Sequence, residues 1–334
     1  MTTVDPLLIE TIESMLGDLC QPTQVGAAEG GLDAMLWKAL TESGMSTVGL
    51  AESIGGSGGT LQDAAAIAKA AGRHAAPVPL TELSLVGGWV CEQAGLALPG
   101  GPVAVVIGDG DRTYWAPVAE SLVVVTDAGV AVLEAGAVTL GRAGVNYAGE
   151  PWADARVQTA QYVDGPSPAR VRARGALARS LLMAGALQHA VELSVQYCNE
   201  REQFGRPIGK FQVLQQYLAQ MAGEAAAAEA AADNAVDVVA TDPGEAETTR
   251  VIAAAKTMTS RSVGMINRLA HQIHGAIGYT DEHRLQYTTR RLWSWRDEYG
   301  SEAEWAALLG RSLVAAGGRA LWPAITSWPP AAGS

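Results

Sequence analysis

Arg201, Gln203 and Phe204 lie within a stretch of four residues in the segment NEREQFGRPIGKFQ (199–212), which interrupts a long alanine-rich helical pattern. An arginine guanidinium donates two parallel hydrogen bonds to phosphate oxygens, and a neighbouring aromatic side chain covers a ring. The segment therefore predicts a binding site for a diphosphate that is attached to a ring system. A solvated helix end, with Phe204 tucked under the turn, is the alternative explanation.

A second segment with polar chemistry is HQIHGAIGYTDEH (271–283), which contains three of the five histidines of the chain. His271 and His274 are three residues apart, but no carboxylate or cysteine completes a recognisable metal-ligand pattern around them and His283. We therefore predict no metal site. The Gln272 amide and the backbone at Gly275 are better suited to hydrogen-bonding the neutral edge of a ligand.

Four arginines fall within ten residues of the segment ARVRARGALARS: Arg170, Arg172, Arg174 and Arg179. Arginine pairs well with phosphate, so the run is a candidate contact for coenzyme A. Such runs are also typical of solvated helix starts.

Long helices must present these segments. Apolar residues spaced three and four apart, together with alanine-rich stretches, predict helices at 6–20, 32–43, 61–73, 169–200, 210–240, 244–274, 283–296 and 301–317. Connections between the later helices are short, which indicates an antiparallel four-helix bundle.

The chain between Pro77 and Pro168 has a different residue pattern. Short β-branched runs occupy 103–107, 122–125, 130–134 and 138–140, and GDGD, TDAG and AGA between them are typical of tight hairpin turns. We predict a small antiparallel meander or barrel. The fold class is then α+β, mainly α, with a helical domain at 1–76, a β domain at 77–167 and a helical bundle at 168–334.

The composition excludes several functions. A net charge of −12 opposes broad binding to nucleic acid or anionic membranes. The three cysteines are far apart without a CxxC pair, and no basic leader or long uncharged apolar stretch is present, so we expect a reduced, cytoplasmic protein.

The two polar segments together resemble the paired signatures of the acyl-CoA dehydrogenases, flavoproteins with a helical N-terminal domain, a middle β domain and a C-terminal four-helix domain. REQFGRPIGKFQ is similar to the family signature RxQFGxxIxxFQ, and QIHGAIGYTDEH is similar to QxxGGxGYxxEH. The resemblance is strong from about residue 176 to about residue 291 and weaker elsewhere.

In that family the two signatures bind the adenosine-diphosphate half of an FAD whose flavin lies in the neighbouring subunit. The resemblance thus implies FAD as cofactor, held by five residues that match the signatures: Arg201, Gln203, Phe204, Gln272 and Gly275. Ala276 stands where the signature has its second glycine, and its methyl group narrows the approach of a ligand to the backbone.

The catalytic base of the family has no match. Acyl-CoA desaturation needs a carboxylate that takes the α-proton while the flavin takes the β-hydride. The two positions that carry this base in the family fall at Tyr299 and Gly175. Glu298 beside the first position is the alternative base, although an acid in RDEYGSEAEW is also typical of a solvated helix end. The catalytic residue is left unassigned.

About ninety residues separate Pro77 from Pro168, and the family's flavin-contacting stretch is missing there. This combination resembles the shorter subunit of the actinobacterial heteromeric (α2β2) steroid-CoA dehydrogenases. It implies a longer acyl-CoA dehydrogenase paralogue as partner, a steroid side-chain acyl-CoA as substrate, and electron-transfer flavoprotein or a similar acceptor. Two alternatives remain open: a self-sufficient dehydrogenase with Glu298 as base, and a non-catalytic paralogue that stabilises its partner.

Overall fold

Helices dominate the computed structural model, which describes residues 4–319. Those that precede the first strand are α1 (Pro6–Leu19), α2 (Pro22–Ala27), α3 (Ala34–Glu42), α4 (Leu61–Arg73) and α5 (Gly88–Ala94). Side chains cap three of them: Asp5 accepts a hydrogen bond from the Leu7 amide, Asp33 accepts one from the Leu36 amide, and Thr60 forms a capping box at the start of α4. The predicted helices at 6–20, 32–43 and 61–73 are confirmed.

The segment after Pro79 differs from the prediction. The sequence predicts a β domain from residue 77 onwards, whereas Glu82–Gly87 forms a π-helical turn that continues into α5. All six residues of this turn are buried, and they pack on the first strand and on the helix that begins at Pro168. Glu82 is among them, so this turn places a carboxylate in the interior.

Six strands follow: β1 (Val103–Ile107), β2 (Thr113–Tyr114), β3 (Ser121–Thr126), β4 (Gly129–Glu134), β5 (Val138–Val145) and β6 (Pro151–Val157). They form two three-stranded sheets with the orders β1-β3-β4 and β2-β6-β5. Thr126 pairs with Gly129, so TDAG is a hairpin turn as predicted.

The other two predicted hairpins are wrong. β1 runs parallel to β3, GDGD leads from β1 into β2 of the other sheet, and AGA carries the chain from β4 to β5 across sheets. The physical reason is that Val103, Ala104, Val105 and Val106 are all buried. A strand that is covered on both faces is typical of parallel pairing and lacks the alternation of a half-exposed hairpin strand.

The last half of the described chain is helical, with α6 (Pro168–Glu200), α7 (Gln212–Val239), α8 (Glu245–His274), α9 (Arg284–Trp295) and α10 (Glu302–Ala316). A two-stranded hairpin, β7 (Glu202–Gln203) with β8 (Arg206–Pro207), joins α6 to α7. The predicted bundle helices are confirmed. Residues 320–334 of the predicted third domain lie outside the described range.

Small residues bring the N-terminal helices onto the bundle. A methyl group on Gly72 of α4 would lie 2.0 Å from the Leu182 carbonyl oxygen, and one on Gly185 of α6 would lie 1.9 Å from the Lys69 carbonyl oxygen. Four of the seven buried residues of α7 are alanines, which let helix axes approach closely. One large apolar core therefore extends from α1 into the bundle.

Within residues 4–319, no helix combines the length and the apolar character that crossing a bilayer requires. Cys20, Cys91 and Cys198 are buried and unpaired.

Candidate functional site

The hairpin between α6 and α7 presents the first signature segment. Arg201 ends α6, and its carbonyl oxygen accepts a hydrogen bond from the Ile208 amide at 2.8 Å, which closes the hairpin. Phe204 and Gly205 form the tip with φ angles of 52° and 76°. Two consecutive residues with positive φ make a type I′ turn, in which a phenylalanine is strained. The turn holds the Phe204 ring 90% exposed.

The second signature segment lies at the end of α8. Gly275 terminates the helix with φ 64° and ψ −140°, and its amide donates to the His271 carbonyl. Only glycine adopts this region without strain, so the chain can turn there with its backbone uncovered. A short 3-10 helix, Gly275–Tyr279, then leads towards α9.

The two segments meet around one open cleft of about 650 Å³. All five residues that the signatures predicted line it: Arg201, Gln203, Phe204, Gln272 and Gly275. Sequence reasoning missed its apolar walls, which Tyr197, Ile208, Phe211 and Leu214 provide. Ala276 also lines the cleft, where its methyl group takes the place of the signature glycine.

The donor set of this cleft fits a diphosphate joined to an aromatic base. Arg201 forms no ion pair with any described carboxylate, and no aspartate or glutamate is among the lining residues that the structure describes. The Gln203 and Gln272 amides are likewise without hydrogen-bond partners in residues 4–319. The cleft thus offers a free guanidinium, two free amides and the exposed Phe204 ring.

The two positions at which the family carries its base lie in contact. A methyl group on Gly175 of α6 would sit 2.3 Å from Cδ1 of Tyr299, so the tyrosine ring occupies the space above the glycine. Burial raises the pKa of the Tyr299 hydroxyl well above its usual value, and the nearby Glu82 carboxylate adds to the effect. Neither position can accept a proton as a carboxylate does.

Glu298 is buried, which corrects its interpretation as a solvated acid. Only 4% of the residue is exposed. Its Oε2 accepts from Nε of Arg179 at 2.6 Å, and its Oε1 accepts from the Asn146 amide at 2.9 Å. Both oxygens are thus held by fixed donors, which argues against Glu298 as a base.

Arg179 joins distant parts of the chain. Besides Glu298, it forms an ion pair with Glu82 and donates to the Thr81 hydroxyl at 3.0 Å. The two carboxylates raise the pKa of the guanidinium, although burial alone lowers it. The prediction that Arg179 contacts coenzyme A is therefore wrong, because both of its carboxylate partners lie inside the protein.

The same network continues through the interior. The Asn146 amide also donates to Glu150, which accepts from the Trp295 indole at 3.0 Å and pairs with Arg291. Lys256 donates to the carbonyl oxygens of Trp295 and Arg296 at 2.6 and 2.9 Å. We call the six ionisable residues of this network the buried ion cluster: Glu82, Glu150, Arg179, Lys256, Arg291 and Glu298. Each is at most 5% exposed.

The remaining arginines of the ARVRARGALARS run lie elsewhere. Arg172 pairs with Glu304 at the surface. Arg170 and Arg174 contact the Trp89 ring and line a separate cavity of about 320 Å³, in which Glu92 and Glu245 also lie.

The histidines at the end of α8 are close together. No group of three or more histidine, cysteine, aspartate or glutamate side chains within residues 4–319 is placed to hold a metal ion.

Comparisons with known proteins identify the family. Residues 173–302 match the acyl-CoA dehydrogenase C-terminal domain family. Acyl-CoA dehydrogenase IpdE2 of Mycolicibacterium smegmatis is 30% identical over 295 residues, which cover 85% of this chain and 91% of the relative.

Two solved structures share the fold. The ChsE4–ChsE5 complex from Mycobacterium tuberculosis superposes with a TM-score of 0.79 at 22% identity, covering 94% of this chain and 98% of the matched one. A variant of the Tcur3481–Tcur3483 steroid ACAD superposes with a TM-score of 0.81 at 21% identity, covering 93% and 97%. The α+β, mainly helical architecture is therefore confirmed, and the chain belongs to the acyl-CoA dehydrogenase family.

Proposed function

We propose that this chain is the cofactor-clamping subunit of a heteromeric FAD-dependent acyl-CoA dehydrogenase. Arg201, Gln203, Phe204, Gln272 and Gly275, which we call the nucleotide clamp, hold the adenosine-diphosphate end of an FAD whose flavin lies in a partner subunit. The observation that carries the proposal is the contrast between two places in one chain. The clamp is open and cationic, whereas the position of the base is filled.

The clamp residues have distinct roles in this proposal. The Arg201 guanidinium binds the diphosphate, the Gln203 and Gln272 amides bind polar edges, and the Phe204 ring covers the adenine. The flexible backbone at Gly275 lets the ligand approach closely. When bound, FAD supplies the acceptor for the β-hydride of the acyl group.

The state of the two base positions, Gly175 and Tyr299, explains why a partner is needed in this proposal. Tyr299 covers Gly175, and Arg179 engages the carboxylates of Glu82 and Glu298, so neither of the two base positions offers a free carboxylate. In our proposal the longer acyl-CoA dehydrogenase paralogue supplies both the base and the flavin contacts, and the assembly is an α2β2 heterotetramer.

The substrate proposed is a steroid side-chain acyl-CoA, which is desaturated between its α and β carbons. Support comes from the resemblance of the sequence and from the fold shared with a protein described as a steroid ACAD. Electron-transfer flavoprotein or a similar carrier is the acceptor in this proposal.

Co-purification with flavin counted per chain tests the proposal. We expect no flavin in the chain purified alone and one FAD per pair of unlike chains after co-expression with the paralogue. Flavin bound by the chain alone would favour the self-sufficient enzyme with Glu298 as base.

Arg201→Ala in the co-expressed complex separates the clamp from a purely stabilising role. Loss of a charged hydrogen bond costs about 1.5–3 kcal/mol, so the FAD dissociation constant should rise roughly 10- to 100-fold. Arg311→Ala on α10 is the matched control, because Arg311 is exposed and lies away from the cleft. Equal FAD occupancy in both variants would favour the non-catalytic paralogue.

A further inference from the structure

Three histidines surround the base of the nucleotide clamp. The His271 ring stacks on Tyr279 with centroids 4.2 Å apart, and its Nε2 lies 2.9 Å from the Thr289 hydroxyl of α9. The His274 ring lies between Tyr197 of α6, at 4.7 Å, and His283, at 4.8 Å. These rings connect α6, α8 and α9 directly beneath the turn that carries Gly275.

His283 can cap α9 only while its ring is uncharged. It is the N-cap of α9, where its Nδ1 accepts a hydrogen bond from the Leu285 amide at 3.1 Å. A proton on Nδ1 would remove this acceptor. It would also place a positive charge at the positive end of the helix dipole, which is unfavourable.

His274 is held in a setting that also disfavours a charge. Only 3% of the residue is exposed, and this burial outweighs the hydrogen bond that Nδ1 donates to the Ala270 carbonyl oxygen at 2.8 Å. The pKa of His274 is lowered to about 4, mainly by burial and in smaller part by repulsion from His283 and His271. Burial likewise lowers the pKa of His271 and of His283.

The three rings have no carboxylate partner among the described residues. The Asp281 carboxylate in the turn accepts from the Gln286 amide, and Glu192 on α6 pairs with Arg73 on α4. Glu282, which precedes His283 in the turn, is exposed. The remaining charged or titratable neighbours add positive charge or none: His189 on α6, His74 on α4, Arg284 on α9 and Tyr279 in the turn.

We propose that His271, His274 and His283, the histidine brace, hold the turn 275–283 in place only while they are uncharged, so that acidification loosens the turn and releases a bound nucleotide. The release step rests on the proposed function, whereas the loosening of the turn does not. The brace residues act through the turn and are positioning residues for the clamp.

Hydrogen exchange on the full chain tests the brace without any ligand. After correction for intrinsic exchange rates, we expect the protection factors of amides 276–287 to fall at least tenfold between pH 7.5 and pH 5.0, while those of α7 stay unchanged. Equal protection of the turn at both pH values would overturn the proposal. Proton NMR of the five histidine rings should place the pKa values of the brace below 6.5.

A conservative variant identifies the cap as the cause. Asn is a good N-cap and does not titrate, so His283→Asn should retain protection at pH 7.5 and lose several-fold less of it at pH 5.0 than the wild type. His283→Ala should lose protection at both pH values. His74→Asn is the control outside the brace and should keep the wild-type profile. An H283N profile identical to that of the wild type would overturn the assignment of His283.

Cofactor retention is measured separately. In the co-purified complex, we expect the rate of FAD release after dilution to rise at least tenfold between pH 7.5 and pH 5.0, and to rise less in H283N. A complex that never contains FAD, together with a turn whose protection depends on pH, would contradict the proposed function but would still support the histidine brace. A pH-independent rate of FAD release with normal FAD occupancy would overturn the release step.

Discussion

Tyr299 lies so close to Gly175 that a methyl group on the glycine would be 2.3 Å from the tyrosine Cδ1. Gly175 lies in α6 and Tyr299 in the turn between α9 and α10, so the fold brings together residues 124 positions apart. The sequence resemblance implies these two positions for the catalytic base, and here the side chain of one fills the space of the other.

Gly175→Ala should therefore destabilise the protein. The added methyl group has no room, and overpacking of a buried site costs about 1–3 kcal/mol. Urea denaturation followed by circular dichroism measures the change. Gly310→Ala on α10 is the matched control, since nothing lies within 4 Å of its position and alanine is the better helix former, by up to about 1 kcal/mol. Equal effects of the two substitutions would contradict the packing described for Tyr299.

Arg179→Met should lower the free energy of unfolding by about 3–5 kcal/mol, because Glu82 and Glu298 would be left as buried carboxylates without their partner. Arg172→Met on the same helix removes an exposed pair with Glu304 and should cost at most about 1 kcal/mol. Similar losses for the two variants would show that the buried pairs contribute no more than a surface pair.

Much of this architecture could be predicted from the sequence, because the signals for its helices are short-range. Helices such as α4 and α8 can be recognised from the spacing of their apolar residues and from the turn residues that flank them. The ion pairs of Arg179 are different, because its partners lie 97 and 119 positions away and a charged residue ordinarily indicates solvent. For the same reason, the charged segment RDEYGSEAEW indicates a solvated position for Glu298. The single acid in the apolar run LTELSLVGG was the available signal for Glu82.

Glu298→Gln distinguishes the two possible sources of the base. If the base belongs to the partner, turnover of the assembled enzyme should stay within about threefold of the wild type, after correction for any loss of folded protein. Removal of a general base typically costs about 10²–10⁴-fold. A loss of that size with normal FAD content would establish Glu298 as the base.

Lys256 should make stability depend on pH in the alkaline range. Burial lowers the pKa of Lys256 to about 7 from its usual 10.5, so between these values the unfolded chain binds more protons than the folded one. Stability from this group is then fully present above pH 10.5 and is lost as the pH falls towards 7. Relative to Lys256→Met, the wild type should gain up to about 1.4 kcal/mol per pH unit. Parallel denaturation curves at pH 7, 8 and 9 for both proteins would contradict this.

Phe204→Asn should separate stability from cofactor retention. Asparagine adopts a positive φ more readily than phenylalanine, so the type I′ turn should gain up to about 1 kcal/mol. The same variant removes the exposed ring and should release FAD from the complex several-fold faster. Thermal melting and flavin release provide the two measurements. Unchanged release would mean that Phe204 does not contact the cofactor.

The buried ion cluster also bears on how such a chain can change over generations. Replacing Tyr299 alone leaves Arg179 and its carboxylates in the vacated space, and replacing Arg179 alone strands two anions in the interior. Reopening the centre requires several coordinated replacements, each of them costly by itself. Under the proposed function, no single substitution would restore a free catalytic centre to this chain, so dependence on a partner subunit would be hard to reverse.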